Sequence, residues 1–532
     1  MPASGSLFAG FATAATRWPG RIAIRDNGRD TSFAALHAAS REAARALVAL
    51  GIERGDRVAI WAVNHTDWIV AGLAIQAAGA VLVPLSTRLR AGEVASIIDR
   101  AEVRLLFCDP GYGSYDFVTR IAEEAPRSLE RMIVFGDVAL APALSWSDFL
   151  ETAPRFLDQQ LDARIAAIGN DDLADIIFTS GTTGTPKGVP MTNSQSMIAC
   201  AAQHRCVLQF QQGDVFAVTF PFAHNAGYRA GWQAALLHGV TIIPVRTYDP
   251  LALLTLIERE RVTILPAVPT IFQMILDHPE RGRFDLSSLR VAATGATTIP
   301  IALIEAMQTE FGATAVRTGY GLTECAGSVT ATRPGDDAAT IALTTGRPLD
   351  NLEVILLDLV REPVPIGETG EIAVRGPQVM REYYRDEAAT AAAFTAEGYF
   401  LTGDIGRFDA TGNLAITDRL KDMYIVGGFN TYPAEVEQQL ARIAGVQEAA
   451  VIGVADERLG QVGHAFLVAQ ADAGLDETTV LDWCRRQMAN YKVPRGVTFV
   501  DALPRTPSGK VSKVELRALA GSQINETVRQ PA

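Results

Sequence analysis

Cysteine is scarce in this 532-residue chain. The five present (Cys108, Cys200, Cys206, Cys325 and Cys484) form no CxxC pair. That spacing argues against a zinc site and for a reducing, cytoplasmic compartment. The seven histidines form no HxxxH-type pair. Positive charge is also short: 47 Lys and Arg stand against 60 Asp and Glu, a formal net charge of −13. A nucleic-acid partner usually demands a basic face, so none is expected. No apolar run approaches the length of a membrane span, and no low-complexity tract occurs. The opening Met1-Pro2-Ala3-Ser4-Gly5 lacks a basic region followed by an apolar one, so no secretion signal is expected. Apolar content of 48% and charged content of 20% fit a soluble globular protein. The length is too great for one compact core, so several domains are expected.

Against that background one stretch stands out. Ile176-Ile177-Phe178 reads as a buried strand and breaks into a loop with Gly181, Gly184 and Gly188. The loop also carries four hydroxyls (Thr179, Ser180, Thr182, Thr183) and one cation, Lys187. Glycines let backbone N–H groups approach a ligand, hydroxyls donate, and the lysine supplies charge. That set suits a polyphosphate. A flexible surface turn would not call for so many hydroxyls beside a lysine. The loop is not a Walker A motif, because Pro186 and Gly188 replace the Gly and Ser/Thr that would flank the lysine.

Short β-branched runs alternate with helical patterns, which implies parallel sheets with crossover helices. Gly79-Ala-Val-Leu-Val-Pro84 resembles Gly239-Val-Thr-Ile-Ile-Pro244. Each is followed by a helical pattern and a second apolar strand, near Val103 and Val262. Two α/β subdomains side by side are the natural reading. From about residue 340 the texture changes to short strands at Glu353–Leu357 and Gly370–Gly376, a small β-rich unit. Gly427-Gly428 forms a plausible hinge, after which an α+β module begins near Tyr432-Pro433. The expected fold is therefore α/β. A large N-terminal domain over 1–420 holds two doubly wound subdomains and the β-rich unit. A small α+β module follows over 421–532.

Five separated motifs then occur in one order: Thr179–Gly188; Gly319-Tyr320-Gly321-Leu322-Thr323-Glu324; Tyr399–Asp404; Asp418-Arg419-Leu420-Lys421-Asp422; and Pro507-Ser508-Gly509-Lys510. In this the chain resembles the adenylate-forming, AMP-binding superfamily over nearly its full length. The resemblance implies two half-reactions. A carboxylate first attacks the α-phosphorus of ATP, giving an acyl-adenylate and pyrophosphate. A thiol then displaces AMP, with the small domain rotating between the steps. ATP and CoA are the implied co-substrates and Mg²⁺ the implied cofactor. A homodimer is compatible with the resemblance.

By the same resemblance, Thr179, Ser180, Gly181, Thr182, Thr183 and Gly184 grip phosphates, and Lys187 aids pyrophosphate departure. Thr182 and Glu324 match magnesium contacts, consistent with a hard cation that takes few protein oxygens. Thr323 matches an α-phosphate contact. Gly295, Ala296 and Thr297 match the stretch lining the purine. Gly319, Tyr320 and Gly321 form the turn on which Tyr320 stacks against adenine. Asp404, an acceptor-only group, matches the ribose contact, as does Arg419. Lys510 falls at the adenylation lysine, where a cation stabilises developing charge. Lys421 falls at the hinge, and Gly427, Gly428 and Asn430 match the loop that swings toward the thiol channel. A lone histidine is more often structural than functional, but His224 falls where the family places one near the carboxylate pocket.

Amino-acid adenylation domains carry an aspartate in the segment that here reads Ala223-His224-Asn225-Ala226-Gly227-Tyr228-Arg229. The missing carboxylate, and a chain that ends soon after Lys510, lead to the expectation of a stand-alone ligase using free CoA. The segment through Gly231 resembles bacterial ligases that activate the hydroindane propanoate of steroid breakdown. In that reading His224, Asn225, Gly227 and Arg229 serve the acid. Arg229 is a candidate donor to a ring carbonyl, or equally a salt-bridged surface residue. Medium-chain or aryl acid CoA ligases are the alternative. A non-catalytic nucleotide-binding regulator is the alternative of another class, which loss of Lys510 or Glu324 would have favoured. An oxygenase of the luciferase type shares the motifs, and oxygen uptake would distinguish it.

Overall fold

The computed structural model describes the chain except residues 1–4, 138–139, 180–185, 296–298, 314, 420–421, 427–428, 432, 457, 471–472, 489, 506–510 and 528–532; side chains are also left undescribed at 155, 418–419, 429–430 and 521–527. The chain forms two compact units. One comprises Met1–Val354, Val374–Phe400 and Gly412–Leu414; the other comprises Ile355–Ala373, Leu401–Thr411 and Ala415–Ala532.

The first unit contains two seven-stranded sheets. One runs Lys187–Thr192, Leu173–Thr179, Val81–Leu85, Arg57–Trp61, Val103–Cys108, Arg131–Val134, Leu144–Ser145. The other runs Arg29–Ser32, Ile22–Asp26, Thr241–Pro244, Val215–Val218, Ile264–Pro266, Val291–Ala293, Ala315–Arg317. Read in these directions, each opens on one antiparallel pair and continues parallel. The duplication expected from the Gly79 and Gly239 segments therefore extends to whole sheets. Val81–Leu85 and Thr241–Pro244 hold the same third place, and the strands after their crossover helices hold the same fifth place. Both crossover helices, Ala91–Ala101 and Pro250–Glu260, end on a left-handed residue, Glu102 and Arg261. Strands buried on both faces explain the near-continuous apolar runs, because helices cover each side of a parallel sheet. The helix Thr66–Ala77 is apolar all round, and its residues from Trp68 onward are buried, as that composition requires. Its start is capped by His65, whose Nδ1 accepts from the Trp68 N–H at 3.1 Å.

A three-stranded antiparallel sheet, Gly319–Leu322, Gly327–Ala331 and Arg347–Pro348, completes the first unit's strands relevant to the site. Most of the β-rich sheet Glu353–Leu357, Thr369–Arg375, Phe400–Phe408 and Leu414–Arg419 falls in the second unit, which places more than 421–532 there. The α+β module is built on the long hairpin Val446–Asp456 and Gly460–Ala469, with Gly496–Phe499 added in parallel. The helices Pro433–Leu440 and Glu477–Gln487 contribute to its apolar core through Val436, Leu440, Val480 and Cys484. All five cysteines are free and buried. No described helix is long and apolar enough to cross a membrane.

Candidate active site

The phosphate-type segment begins and ends on two paired strands. Leu173–Thr179 pairs antiparallel with Lys187–Thr192, and Thr179 and Lys187 are register partners at its mouth. The second strand was not foreseen, since its Pro190 and Gly188 are poor strand formers. Gly188 has a packing reason: a Cβ there would come within 3.1 Å of Ile176, Phe178 and Tyr384 side-chain atoms. Ser180, Gly181, Thr182, Thr183 and Gly184 lie outside the described residues. At the end of the second strand a capping box starts the helix Asn193–Ala202. Thr192 Oγ1 accepts from Gln195 N–H, and Gln195 Oε1 accepts from Thr192 N–H.

Glu324 sits on a single 3₁₀ turn, Thr323–Cys325, ended by Ala326 in the left-handed region and Gly327 at φ +122°. The segment 376–384 wraps that turn. Gln378 Nε2 donates to Cys325 O at 2.9 Å and to Ser328 O at 3.0 Å. Met380 N–H donates to Glu324 O at 2.7 Å. Tyr383 reaches both candidate catalytic residues. Its hydroxyl donates to Glu324 Oε1 at 3.1 Å, and the Lys187 ammonium lies 4.7 Å from its ring centre. Burial first, and then the Glu324 charge, hold the Tyr383 hydroxyl far above its usual pKa, so it remains a donor. Lys187 and Glu324 are therefore brought together by a tyrosine that carried no motif, with Thr323 next to Glu324 in the chain.

Tyr320 stands half-buried on the strand Gly319–Leu322, register-paired with Thr330. Its flanking glycines are demanded by the hairpin itself. A Cβ at Gly319 would lie 2.6 Å from Thr330 O, and one at Gly321 would lie 2.1 Å from Gly327 O. Gly295 is looser, with Thr318 Oγ1 and Gly319 O at 3.5 Å. Ala296 and Thr297 lie outside the described residues.

The acid-type segment is folded by two tight turns. A Cβ at Gly227 would lie 2.3 Å from Pro221 O, so only glycine fits there. His224 is exposed and its Nδ1 accepts from Ala226 N–H at 3.2 Å, which puts the neutral ring's proton on Nε2. Asn64, buried and absent from every motif, ties the segment to the ends of two interior strands: its amide donates to Val218 O, Phe220 O and Val245 O and accepts from Phe222 N–H at 2.7 Å.

Arg229 is salt-bridged, as one of its two expected readings held, but buried instead of at the surface. It is 1% exposed and pairs with Asp175, which is fully buried on the strand Leu173–Thr179. Its Nε donates to Ser196 Oγ at 3.1 Å and its Nη1 to Asn225 Oδ1 at 2.9 Å. It is thus not a surface ion pair, and a guanidinium so engaged is not open to a ring carbonyl. Burial pushes the Asp175 carboxyl up to about 6 against the pull of Arg229. A lone acid inside the apolar run Ala174–Phe178 was the available signal, since such a group is buried only when paired.

In the second unit, Asp404 lies on the strand Phe400–Phe408, its N–H donating to Thr402 Oγ1 at 3.1 Å. The backbones of Arg419 and Asn430 lie on the strands Leu414–Arg419 and Phe429–Thr431. Lys421, Gly427, Gly428 and Lys510 lie outside the described residues. Among the described residues no group of three His, Cys, Asp or Glu side chains could hold a metal.

Comparisons with known proteins give the family. The chain is 49% identical over 504 residues to the 3-[(3aS,4S,7aS)-7a-methyl-1,5-dioxo-octahydro-1H-inden-4-yl]propanoyl:CoA ligase of Mycobacterium tuberculosis, covering 94% of this chain and 96% of that one. It is 43% identical over 500 residues to the ligase of the same name from Rhodococcus jostii, covering 93% and 95%. Among solved structures, the o-succinylbenzoate CoA synthetase of Bacillus subtilis, in complex with its acyl-adenylate intermediate, matches with a TM-score of 0.81 at 28% identity over 96% of this chain and 98% of that one. An anthranilate CoA ligase in complex with anthranoyl-AMP matches with a TM-score of 0.85 at 25% identity over 99% of each chain. Residues 11–384 match the family described as AMP-binding enzyme, and residues 435–510 match the AMP-binding enzyme C-terminal domain. The chain belongs to the AMP-binding enzyme family.

Proposed function

We propose that this protein is an AMP-forming acid–CoA ligase whose acid is a bicyclic keto-propanoate of the dioxo-octahydroindene class. The observation that carries the reading is the 49% identity, over 94% of this chain, to a ligase bearing that specificity in its name. The acid carboxylate attacks the α-phosphorus of ATP, the bond to pyrophosphate breaks, and the CoA thiol then displaces AMP from the acyl carbonyl.

Adenylation gathers anions, so the site must supply cations and oriented dipoles. Lys187 is offered to the departing pyrophosphate from the hairpin mouth. Lys510 is offered to the oxygens of the carboxylate and α-phosphate. Tyr320 presents a half-buried ring to the adenine, and Asp404 and Arg419 serve the ribose. Glu324, with Thr182, would hold Mg²⁺. A carboxylate oxygen on a short turn, oriented by the Tyr383 hydroxyl, is the hard donor that ion selects. When bound, the ion neutralises triphosphate charge. Residues 421–532 act as a lid that turns at Lys421, bringing Gly427, Gly428 and Asn430 toward the thiol in the second step.

Amino-acid activation is disfavoured on the same geometry. The buried carboxylate near the acid segment, Asp175, is already neutralised by Arg229. A buried ammonium would lack a partner. The test is an ATP- and CoA-dependent AMP-release screen over bicyclic keto-propanoates, medium-chain fatty acids and benzoates. The highest kcat/KM is expected for the keto-propanoate. A higher value for a fatty or aryl acid would overturn the substrate class and leave the ligase chemistry standing.

A further inference from the structure

Asn225 is 4% exposed, and its amide orientation is set by chemistry. Its Oδ1 accepts from Arg229 Nη1 at 2.9 Å. A guanidinium has donors only, so the atom facing it must be the oxygen. Arg229 is itself held by the Asp175 carboxylate and by Ser196 Oγ. The amide nitrogen is thereby locked in one direction.

Among the described residues that nitrogen, Nδ2, is buried without a hydrogen-bond partner. It points at Gly327, lying 3.4 Å from where a Cβ would stand there. Gly327 is three residues beyond Glu324, at the start of the strand that follows the turn carrying the candidate catalytic residues. Its φ of +122° keeps that place free of a side chain at little cost only for glycine. A buried donor left unmade is rare in native proteins and marks a place where something else accepts. Here a rigid donor and a missing side chain meet beside the first unit's active-site turn.

We infer that Asn225 is a specificity-determining residue: its Nδ2 donates a hydrogen bond to a ring ketone of the acid substrate lying against Gly327. Arg229 and Asp175 are positioning residues that aim it. The inference rests on the bicyclic keto acid reading. It transfers the ketone recognition first expected of Arg229 to the neighbour that Arg229 orients. An amide suits a neutral ketone, because it donates without placing a charge against an apolar ring system.

The test is a two-by-two comparison of wild type and Asn225→Leu on the keto acid and on its ring-deoxygenated analogue. Leucine keeps the size of the side chain and removes both polar atoms. For the keto acid, Asn225→Leu should raise KM by about tenfold with kcat little changed, the pattern of a contact made equally in ground and transition states. For the deoxygenated acid the change should be less than about threefold. Asn225→Asp, which keeps an oxygen for Arg229 and removes the donor, should give the same split. Equal losses on both acids would overturn the inference, since they would mean packing or a contact to the shared carboxylate. A loss in kcat alone would overturn it likewise. Wild-type failure to turn over the keto acid would remove the substrate reading and this inference together. Wild-type turnover without a ketone-dependent loss would remove this inference alone.

Discussion

Tyr383 and Glu324 are 59 residues apart in sequence, yet the tyrosine hydroxyl donates to the Glu324 carboxylate at 3.1 Å. The same ring lies 4.7 Å from the Lys187 ammonium. One side chain thus contacts a cation and an anion that lie far apart in the sequence. A further backbone bond, from Tyr384 N–H to Gly188 O at 2.8 Å, ties this segment to the strand carrying Lys187.

Tyr383→Phe is expected to slow acyl-adenylate formation by about tenfold or more, the value of a hydrogen bond to a charged group. It should also raise the Mg²⁺ concentration needed for half-maximal rate. Tyr383→Leu, which removes the ring beneath Lys187 as well, should cost more. Pyrophosphate release measured across a Mg²⁺ titration checks both. An unchanged rate and midpoint in Tyr383→Phe would show that the bond does not position Glu324.

Lys510→Ala is expected to cut adenylation by about a hundredfold or more, roughly 3 kcal/mol of lost transition-state stabilisation. Thioester formation from preformed acyl-adenylate should change much less. Measuring the half-reactions separately decides it, and equal losses in both would refute the assignment.

Lys421→Pro should act oppositely. Proline restricts φ at the proposed hinge, so CoA transfer should fall while adenylation persists. Unchanged CoA transfer would place the hinge elsewhere.

The buried pair makes its own prediction. Arg229→Met leaves the Asp175 carboxylate buried and alone, which should destabilise the first unit by about 3–5 kcal/mol. Because Arg229 also aims the Asn225 amide, the loss of activity in folded protein should be larger for the keto acid than for the ketone-free one. The pH dependence follows from the raised carboxyl. In the folded state Asp175 titrates at about 6, against about 4 in an unfolded chain. The native state therefore binds this proton more tightly. The stability it contributes is complete below about pH 4 and is lost as pH rises through about 6. Thermal unfolding of wild type and Asp175→Asn from pH 4 to 7 checks this. The wild-type Tm should fall relative to the variant across that window, and a constant difference would refute it.

Local order was legible in the chain. The Gly79 and Gly239 segments announced matching strands, because each pairs a glycine turn with an apolar run and a following helix. The strand leading into the Thr179–Gly188 stretch was legible in the apolar run Ile176–Phe178. The glycines around Tyr320 marked a tight turn, and the structure gives their reason in the close approach of the hairpin strands. The small β-rich unit was legible as strands and not in its grouping, since Glu353–Leu357 and Thr369–Arg375 cluster mostly with the second unit.

By itself the sequence determined the alternation of strands and helices and the five motifs that mark the family, because these depend on neighbours within a few residues. Only the tertiary structure decided who partners whom. Asp175 and Arg229 are 54 residues apart and meet because a strand and a π-helical turn pack together. Tyr383 meets Glu324 because the segment 376–384 wraps a turn it never neighbours in sequence. Asn225 gains its direction from an arginine that is aimed in turn by a buried aspartate. Burial makes such polar partners obligatory, while the order of strands in the sheet, which no local pattern encodes, selects them.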